Sequence, residues 1–386
     1  MEKVRVGIMG YGFTIGIAMA HVEGYKRVPN AELVAMYDKI PGRAAKFMEI
    51  HKIEGVKACD SLEEFYAMVD AVSVCTPNFE HANMAIDALE HGKHVIVEKP
   101  FSLSYEDGLR ALKAHKDHPD LVAMTVFNYR EQVEVQMFKR IIDSGKLGKI
   151  ISVRHIGGGG RMWDAENVYL EWRMQEKTSG TGSMADFGVH MLDLTDYLLH
   201  DKIGDYTEFN GMTSTLVKER YVIDPNDVMG GKAGDEKAPV TNDDVATFSA
   251  VTESGTLVTF ETGRLVGSMQ MFEVAGDMGI VLRNNTLLPP GKIAFFDRAT
   301  AKGRMPKMEV IDIDADIMES RKGAGMLGHD GVLGEFVDCI LTGKAPVRDF
   351  RHGLYIQKLI DNFSKAAKTG VTVKETVSEK NIGCEI

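Results

Sequence analysis

The first 126 residues alternate short apolar runs with helix-like segments, and this alternation constrains the fold more than any other feature. Runs at residues 4–9, 33–37, 71–75, 94–97 and 121–126 are apolar and rich in β-branched residues. That composition and length predict buried strands. Segments 44–50, 61–68 and 82–91 have helical character, so the order predicts an α/β chain that opens with a parallel, doubly wound sheet. Ligands bind such sheets outside the carboxyl ends of the strands. The five runs end in turn at Gly10-Tyr11-Gly12, Asp38, Thr76-Pro77-Asn78, Glu98-Lys99-Pro100 and Asn128-Tyr129-Arg130. Glycine or polar residues at five successive strand ends describe one site.

The first end predicts what that site holds. Gly10 permits a tight turn, and Gly12 lets the backbone approach a pyrophosphate seated on the next helix N-terminus. The loop continues through Phe13, Thr14 and Ile15 to Gly16, one residue later than the simplest glycine fingerprint. Asp38 is placed to hydrogen-bond an adenosine ribose, or else to cap a turn. As a ribose ligand it would repel a 2′-phosphate and favour NAD over NADP, with Arg43 pulling the other way.

Lys99 leaves a buried strand beside a carboxylate and a proline, where a partly desolvated ammonium can share its proton. Asp186 and His190 are four apart; on a helix they would share a face, and a carboxylate beside an imidazole fixes its orientation. Taken alone, that spacing fits a satisfied polar pair as well as a catalytic one.

A length of 386 residues predicts two domains. The net charge of −11 argues against nucleic acid or an anionic membrane as partner. No apolar stretch approaches the roughly 18–20 residues that span a bilayer, and no secretory signal is expected at the start. Cys59, Cys75, Cys339 and Cys384 are widely spaced, so neither a structural metal nor a disulfide framework is expected, which fits a cytoplasmic protein.

Gly10, Gly12, Asp38, the stretch Thr76-Pro77-Asn78-Phe79-Glu80-His81 and the stretch from Gly92 through Glu98-Lys99-Pro100 make the chain resemble the glucose–fructose oxidoreductase/inositol dehydrogenase (Gfo/Idh/MocA) family. The likeness continues through residues 180–193, Phe336-Val337-Asp338 and Pro346-Val347-Arg348-Asp349. It implies an NAD(P)-binding Rossmann domain over residues 1–126. Residues 127–386 would form a substrate-binding and oligomerisation α/β domain on a large, mostly antiparallel open sheet, its last helices packing back on the first domain. It implies Lys99, Asp186 and His190 as the catalytic set, a cis peptide before Pro100, and a homodimer, homotetramer or higher homo-oligomer. The cofactor pocket is expected to use Gly10, Gly12, Phe13, Thr14, Ile15, Asp38, Arg43, Thr76, Pro77, Asn78, His81, Glu98, Lys99 and Asn128. Residues 222–238 look like an added loop.

Substrate contacts are expected from Lys99, Tyr129, Arg130, Arg161, Trp163, Trp172, Arg173, Asp186 and His190, since aromatic faces stack on sugars and arginines grip hydroxyls or carboxylates. The predicted activity is NAD-dependent oxidation of a secondary hydroxyl on a sugar, cyclitol or glycoside. His190 would act as base and Lys99 would stabilise charge on the reacting oxygen. An NAD-retaining glycosidase that oxidises, eliminates and re-reduces, or a noncatalytic NAD-binding sensor, would need much of the same pocket.

Overall fold

A computed structural model describes the chain except residues 1–2, 12–15, 165–166, 225, 230, 266–268, 302–306 and 326–327, and the side chain of Arg161. Six parallel strands form the first sheet: β1 (Val4–Met9), β2 (Ala31–Tyr37), β3 (Lys57–Cys59), β4 (Ala71–Val74), β5 (His94–Val97) and β6 (Ala123–Thr125). Their order is β3-β2-β1-β4-β5-β6, the doubly wound arrangement, with a topological switch between β1 and β4. All four residues of β4 are buried, as expected where helices cover both faces. β3 is the strand that periodicity missed; it has three residues, and Lys57 is exposed.

Helices Asn78–Glu90 and Tyr105–Asp117 connect the later strands. Ser61 and Ser104 cap the helices that follow them by accepting from the backbone N–H groups of Glu64 and Asp107.

The second sheet has nine strands: β7 (Ile150–Gly158), β8 (Tyr206–Ser214), β11 (Val245–Thr252), β12 (Leu257–Gly263), β13 (Met271–Gly276), β14 (Gly279–Asn284), β15 (Lys292–Asp297), β16 (Met308–Asp312) and β17 (Val373–Val377). Only β7 and β12 pair in parallel; the other pairings are antiparallel. Residues 222–238, expected as an added loop, belong instead to a hairpin of β9 (Glu219–Ile223) and β10 (Ala233–Pro239). Its polar, glycine-bearing sequence hid the pairing. Arg220 anchors the hairpin, donating from burial to the carbonyls of Asp164, Val168 and Met162.

The end of the chain returns to the first sheet. The helix His329–Thr342 sends Val332, Leu333, Phe336 and Val337 into the apolar cluster on one face. The helix Phe350–Thr369 packs its buried stripe (Leu354, Leu359, Phe363) into the larger cluster shared by both sheets. Asp349 caps it by accepting from the His352 N–H at 2.8 Å. The Thr125 N–H of β6 donates to Arg348 O at 2.8 Å, joining the two parts through backbone.

Candidate active site

A cavity of about 480 Å³ lies outside the carboxyl ends of the first sheet and runs toward the second. Gly10 lines it with φ +87°, and a Cβ there would lie 2.7 Å from Thr76 Cα. Only glycine lets the ends of β1 and β4 approach this closely. Gly12, Phe13, Thr14 and Ile15 fall outside the described residues. Asp38, Arg43, Thr76, Pro77, Asn78, His81, Glu98 and Lys99 all line the same cavity.

Asp38 is held at the end of β2 by the N–H groups of Tyr11 (3.1 Å) and Ile40 (2.9 Å), with Arg43 at 3.6 Å. Burial raises its pKa, partly offset by those bonds and by Arg43. Arg43 Nε donates to Val228 O at 2.8 Å, so the tip of the β9–β10 hairpin reaches the Asp38 end of the cavity. Thr76 Oγ1 and Thr181 Oγ1 are buried there without a hydrogen-bond partner among the described residues. A glycine cradle, an acid at the second strand end and unpaired hydroxyls are features that a dinucleotide would satisfy.

Several cofactor candidates are already engaged in holding the frame. His81 bridges two strand ends, its ring nitrogens 2.7 Å from Pro100 O and 2.9 Å from Thr76 O. Burial lowers its pKa, and a neutral ring carries one N–H for these two carbonyls. Asn78 Nδ2 donates to Ser179 O at 3.0 Å across to the second part of the chain. Glu98 Oε2 accepts from the Lys99 N–H, while Oε1 lies 2.9 Å from His21 Nε2 and 3.2 Å from His329 Nε2. Burial penalises the Glu98 carboxylate, but the bonds from His21 and His329 hold its pKa well below the ordinary value. These three side chains bring possible metal-ligand atoms within 4.8 Å of one another. Among the described residues the Nδ1 atoms of both histidines lack a partner, whereas metal-bound imidazoles nearly always donate that N–H to an outer acceptor. The trio reads as a hydrogen-bonded clamp on the residue before Lys99.

The Lys99–Pro100 peptide is cis. Lys99 Nζ donates to Asp186 O at 2.8 Å and approaches Asp186 Oδ1 at 3.3 Å. Asp186 lies in a π-helical turn, Met184–Gly188, that precedes the helix Val189–Ile203. Such turns recur at functional sites. Burial pushes the Asp186 pKa upward, but the charges of Lys99, Arg173 and Arg264 outweigh it and bring it below its usual value.

Asp186 is engaged with Lys99, and no hydrogen bond joins it to His190 among the described residues. His190 instead stacks on Tyr129, centroids 3.9 Å apart and planes within 4°. Its Nδ1 has no partner, and burial, aided by Lys99, lowers its pKa to about 3. Tyr129 and His190 are not among the residues lining the main cavity; they line a separate one of about 20 Å³.

Other substrate candidates divide. Trp172 and Arg173 line the main cavity, with the guanidinium 4.3 Å from the indole and 2.8 Å from Glu171. Trp163 is 69% exposed and outside the cavity lining. The Arg161 side chain lies outside what is described. Arg130 is not at the cavity: it is buried in an ion pair with Asp193, which also accepts from His352 at 2.9 Å. Asn128 is likewise buried in the turn after β6, outside the cavity lining. Proximity to a strand end suggested both, but that turn points its side chains back into the core.

Arg264, Thr178, Thr181 and Gly182 line the cavity without having been anticipated. Arg264 follows β12 and donates to Arg173 O (2.7 Å), Asn242 Oδ1 (2.7 Å) and Asp243 O (2.5 Å). No local motif marks it; only the sheet topology brings it to the site.

Residues 4–126 match the family model for the NAD-binding Rossmann fold of the Gfo/Idh/MocA oxidoreductases, and residues 135–282 match the C-terminal domain model of the same family. Levoglucosan dehydrogenase of Pseudarthrobacter phenanthrenivorans is 30% identical over 328 residues, covering 78% of this chain and 79% of the relative. Glucose-6-phosphate 3-dehydrogenase of Bacillus subtilis is 32% identical over 217 residues, 56% of this chain and 59% of the relative. A solved structure of levoglucosan dehydrogenase with NADH and levoglucosan superposes with a TM-score of 0.83 at 23% identity, covering 98% of this chain and 100% of that one.

Proposed function

The chain belongs to the Gfo/Idh/MocA oxidoreductase family, and from that premise we propose that it oxidises a secondary hydroxyl of an uncharged sugar, cyclitol or glycoside to a ketone with NAD⁺. In this reading residues 1–126 carry the cofactor and residues 127–386 complete the substrate side. The observation that carries it is Lys99 Nζ at the strand end, fixed on Asp186 inside a cavity bounded by Gly10 and Asp38.

A nicotinamide held in this cavity would supply the acceptor for the hydride of the substrate carbon. Lys99 donates a hydrogen bond to the reacting oxygen and stabilises negative charge as the hydroxyl proton departs. His190, implied as the base by the family resemblance, offers a lone pair to that proton. Asp186 orients Lys99 and accepts from a neighbouring substrate hydroxyl. The ketone, the reduced cofactor and the transferred proton balance the step.

Charge at the cavity favours an uncharged polyol over a sugar phosphate. Lys99 is committed to Asp186, Arg173 to Glu171, and Arg43 to Asp38 and Val228 O. Arg264 donates to Arg173 O, Asn242 Oδ1 and Asp243 O. Cations already engaged in this way suit recognition of hydroxyls, whereas a phosphate is usually gripped by several cationic donors.

The test is nicotinamide absorbance with NAD⁺ and, separately, NADP⁺. The panel is levoglucosan, myo-inositol, glucose, methyl glucoside and glucose 6-phosphate, with products checked by mass. The proposal expects NADH to rise with an uncharged member and a product two hydrogens lighter. Turnover of glucose 6-phosphate alone would overturn the uncharged class. Cleavage of methyl glucoside without net NADH would replace dehydrogenation with the retaining glycosidase.

A further inference from the structure

We propose that Asp243 is a positioning residue for this reaction: its buried carboxylate fixes the turn that sets Asp186 against Lys99. The inference rests on the site reading above and extends it to a residue outside the cavity lining. Asp243 Oδ1 accepts from the Gly182 N–H at 2.6 Å, and Oδ2 accepts from the Ser183 N–H at 2.7 Å and Ser183 Oγ at 2.6 Å. The π turn that bears Asp186 begins at the next residue, Met184. One carboxylate thus serves three donors at the entry to the turn, where N–H groups have no partner within the helix.

The neighbourhood leaves this turn little alternative. A Cβ on Gly182 would overlap the Asp243 carbonyl and Arg264 Nη2, so the chain approaches the clamp without a side chain. Arg264 holds that carbonyl, and Thr262 Oγ1 donates to Ser183 O at 3.2 Å. Asn242, one residue before, donates to Arg173 O at 2.8 Å and to Ser179 Oγ at 2.7 Å. Asp244, one residue after, faces elsewhere and accepts from the N–H groups of Leu216 and Val217. Asp243 is therefore the member of the acidic pair aimed at the catalytic turn. Ser183 is fully buried and Asp243 nearly so, where losing an acceptor leaves a donor unpaired at appreciable cost. Asp186 touches Lys99 through its backbone oxygen as well as its carboxylate, so a displaced turn moves both contacts at once.

The test is a double-mutant cycle of Asp243→Asn and Asp186→Asn. Turnover is read with NAD⁺ and the best polyol of the panel, levoglucosan first, alongside NADH binding and amide exchange at Gly182 and Ser183. An amide in place of the carboxylate turns an NH₂ toward a donor on one side of the clamp. The expected result for Asp243→Asn is about a tenfold or larger fall in kcat, NADH affinity within about twofold, and faster exchange at the two amides. In the Asp186→Asn background the further fall should be clearly smaller, because the carboxylate contact is already altered and only the backbone contact is left for the turn to move. Equal losses in both backgrounds, or an unchanged kcat, would overturn the positioning role. Should Asp243→Asn fail to fold, Ser183→Ala goes through the same cycle; it removes one bond, keeps both backbone bonds, and must show the same non-additivity. Full turnover in Asp186→Asn alone would overturn the site reading as well, whereas additive losses overturn only this inference.

Discussion

At the residue scale, the deciding question is which charged groups are free to meet a ligand. Asp38 and Lys99 were expected at the site because they lie at the ends of β2 and β5, and Asp186 because the family resemblance implied it; all three line one cavity. Arg130 was misjudged by the same logic: it follows β6, but Asp193 and His352 hold its neighbourhood inside the core. Its true partners lie 63 and 222 residues away in sequence, beyond any local pattern. Asp38 carries a prediction at this scale. Asp38→Ala removes the carboxylate that would face a 2′-phosphate and leaves Arg43 to meet it. The NADP⁺/NAD⁺ ratio of kcat/KM should rise by about tenfold or more, or about 1.4 kcal/mol. An unchanged ratio would show that the acid does not face the ribose.

At the element scale, five strands of the first sheet were readable from apolar runs, whereas the π turn was not. Met184, Phe187, Met191 and Leu192 have spacings compatible with an ordinary helix. The extra residue per turn appears only once Gly182 and Ser183 are seen anchored on Asp243. Asp186 faces Lys99 there, while His190 stacks on Tyr129. Gly182→Ala should therefore cost about 1–3 kcal/mol of stability through overpacking against backbone, and it should depress turnover more than its loss of stability explains. A melting curve and kcat measured on the same preparation check both parts; a well-folded Gly182→Ala with normal kcat would contradict the account of the turn. The β9–β10 hairpin was missed because strands rich in glycine, lysine and acids carry no apolar alternation. Its pairing is secured by Arg220 and by contacts distant in sequence.

At the scale of the whole molecule, the return of the last helices to the first domain was implied by the family resemblance, but the polar contacts beneath the helix Phe350–Thr369 were not. The buried layer beneath it holds Asp193, Arg130, His352 and Glu379. Burial and the Arg130 charge depress the His352 pKa, but hydrogen bonds to Asp193 and Glu379 prevail and raise it to about 9. A group raised on folding adds stability that is complete below its unfolded value near 6.5 and is lost as pH climbs through about 9. His200, raised to about 9 chiefly by its hydrogen bond to Asp196, works in the same direction. The melting temperature should fall between pH 7 and 10, and His352→Gln should have a lower melting temperature at pH 7 with a shallower fall above it. Parallel curves for the two proteins would exclude His352 as a contributor.

The measurement that tests the central claim most directly is single-turnover reduction of NAD⁺ by the Lys99→Ala enzyme, with NADH binding titrated on the same sample. The account predicts hydride transfer slowed by about 10²-fold or more with NADH affinity nearly unchanged, because Lys99 acts on the reacting oxygen. Hydride transfer at the parent rate would contradict it and move the chemistry elsewhere in the cavity.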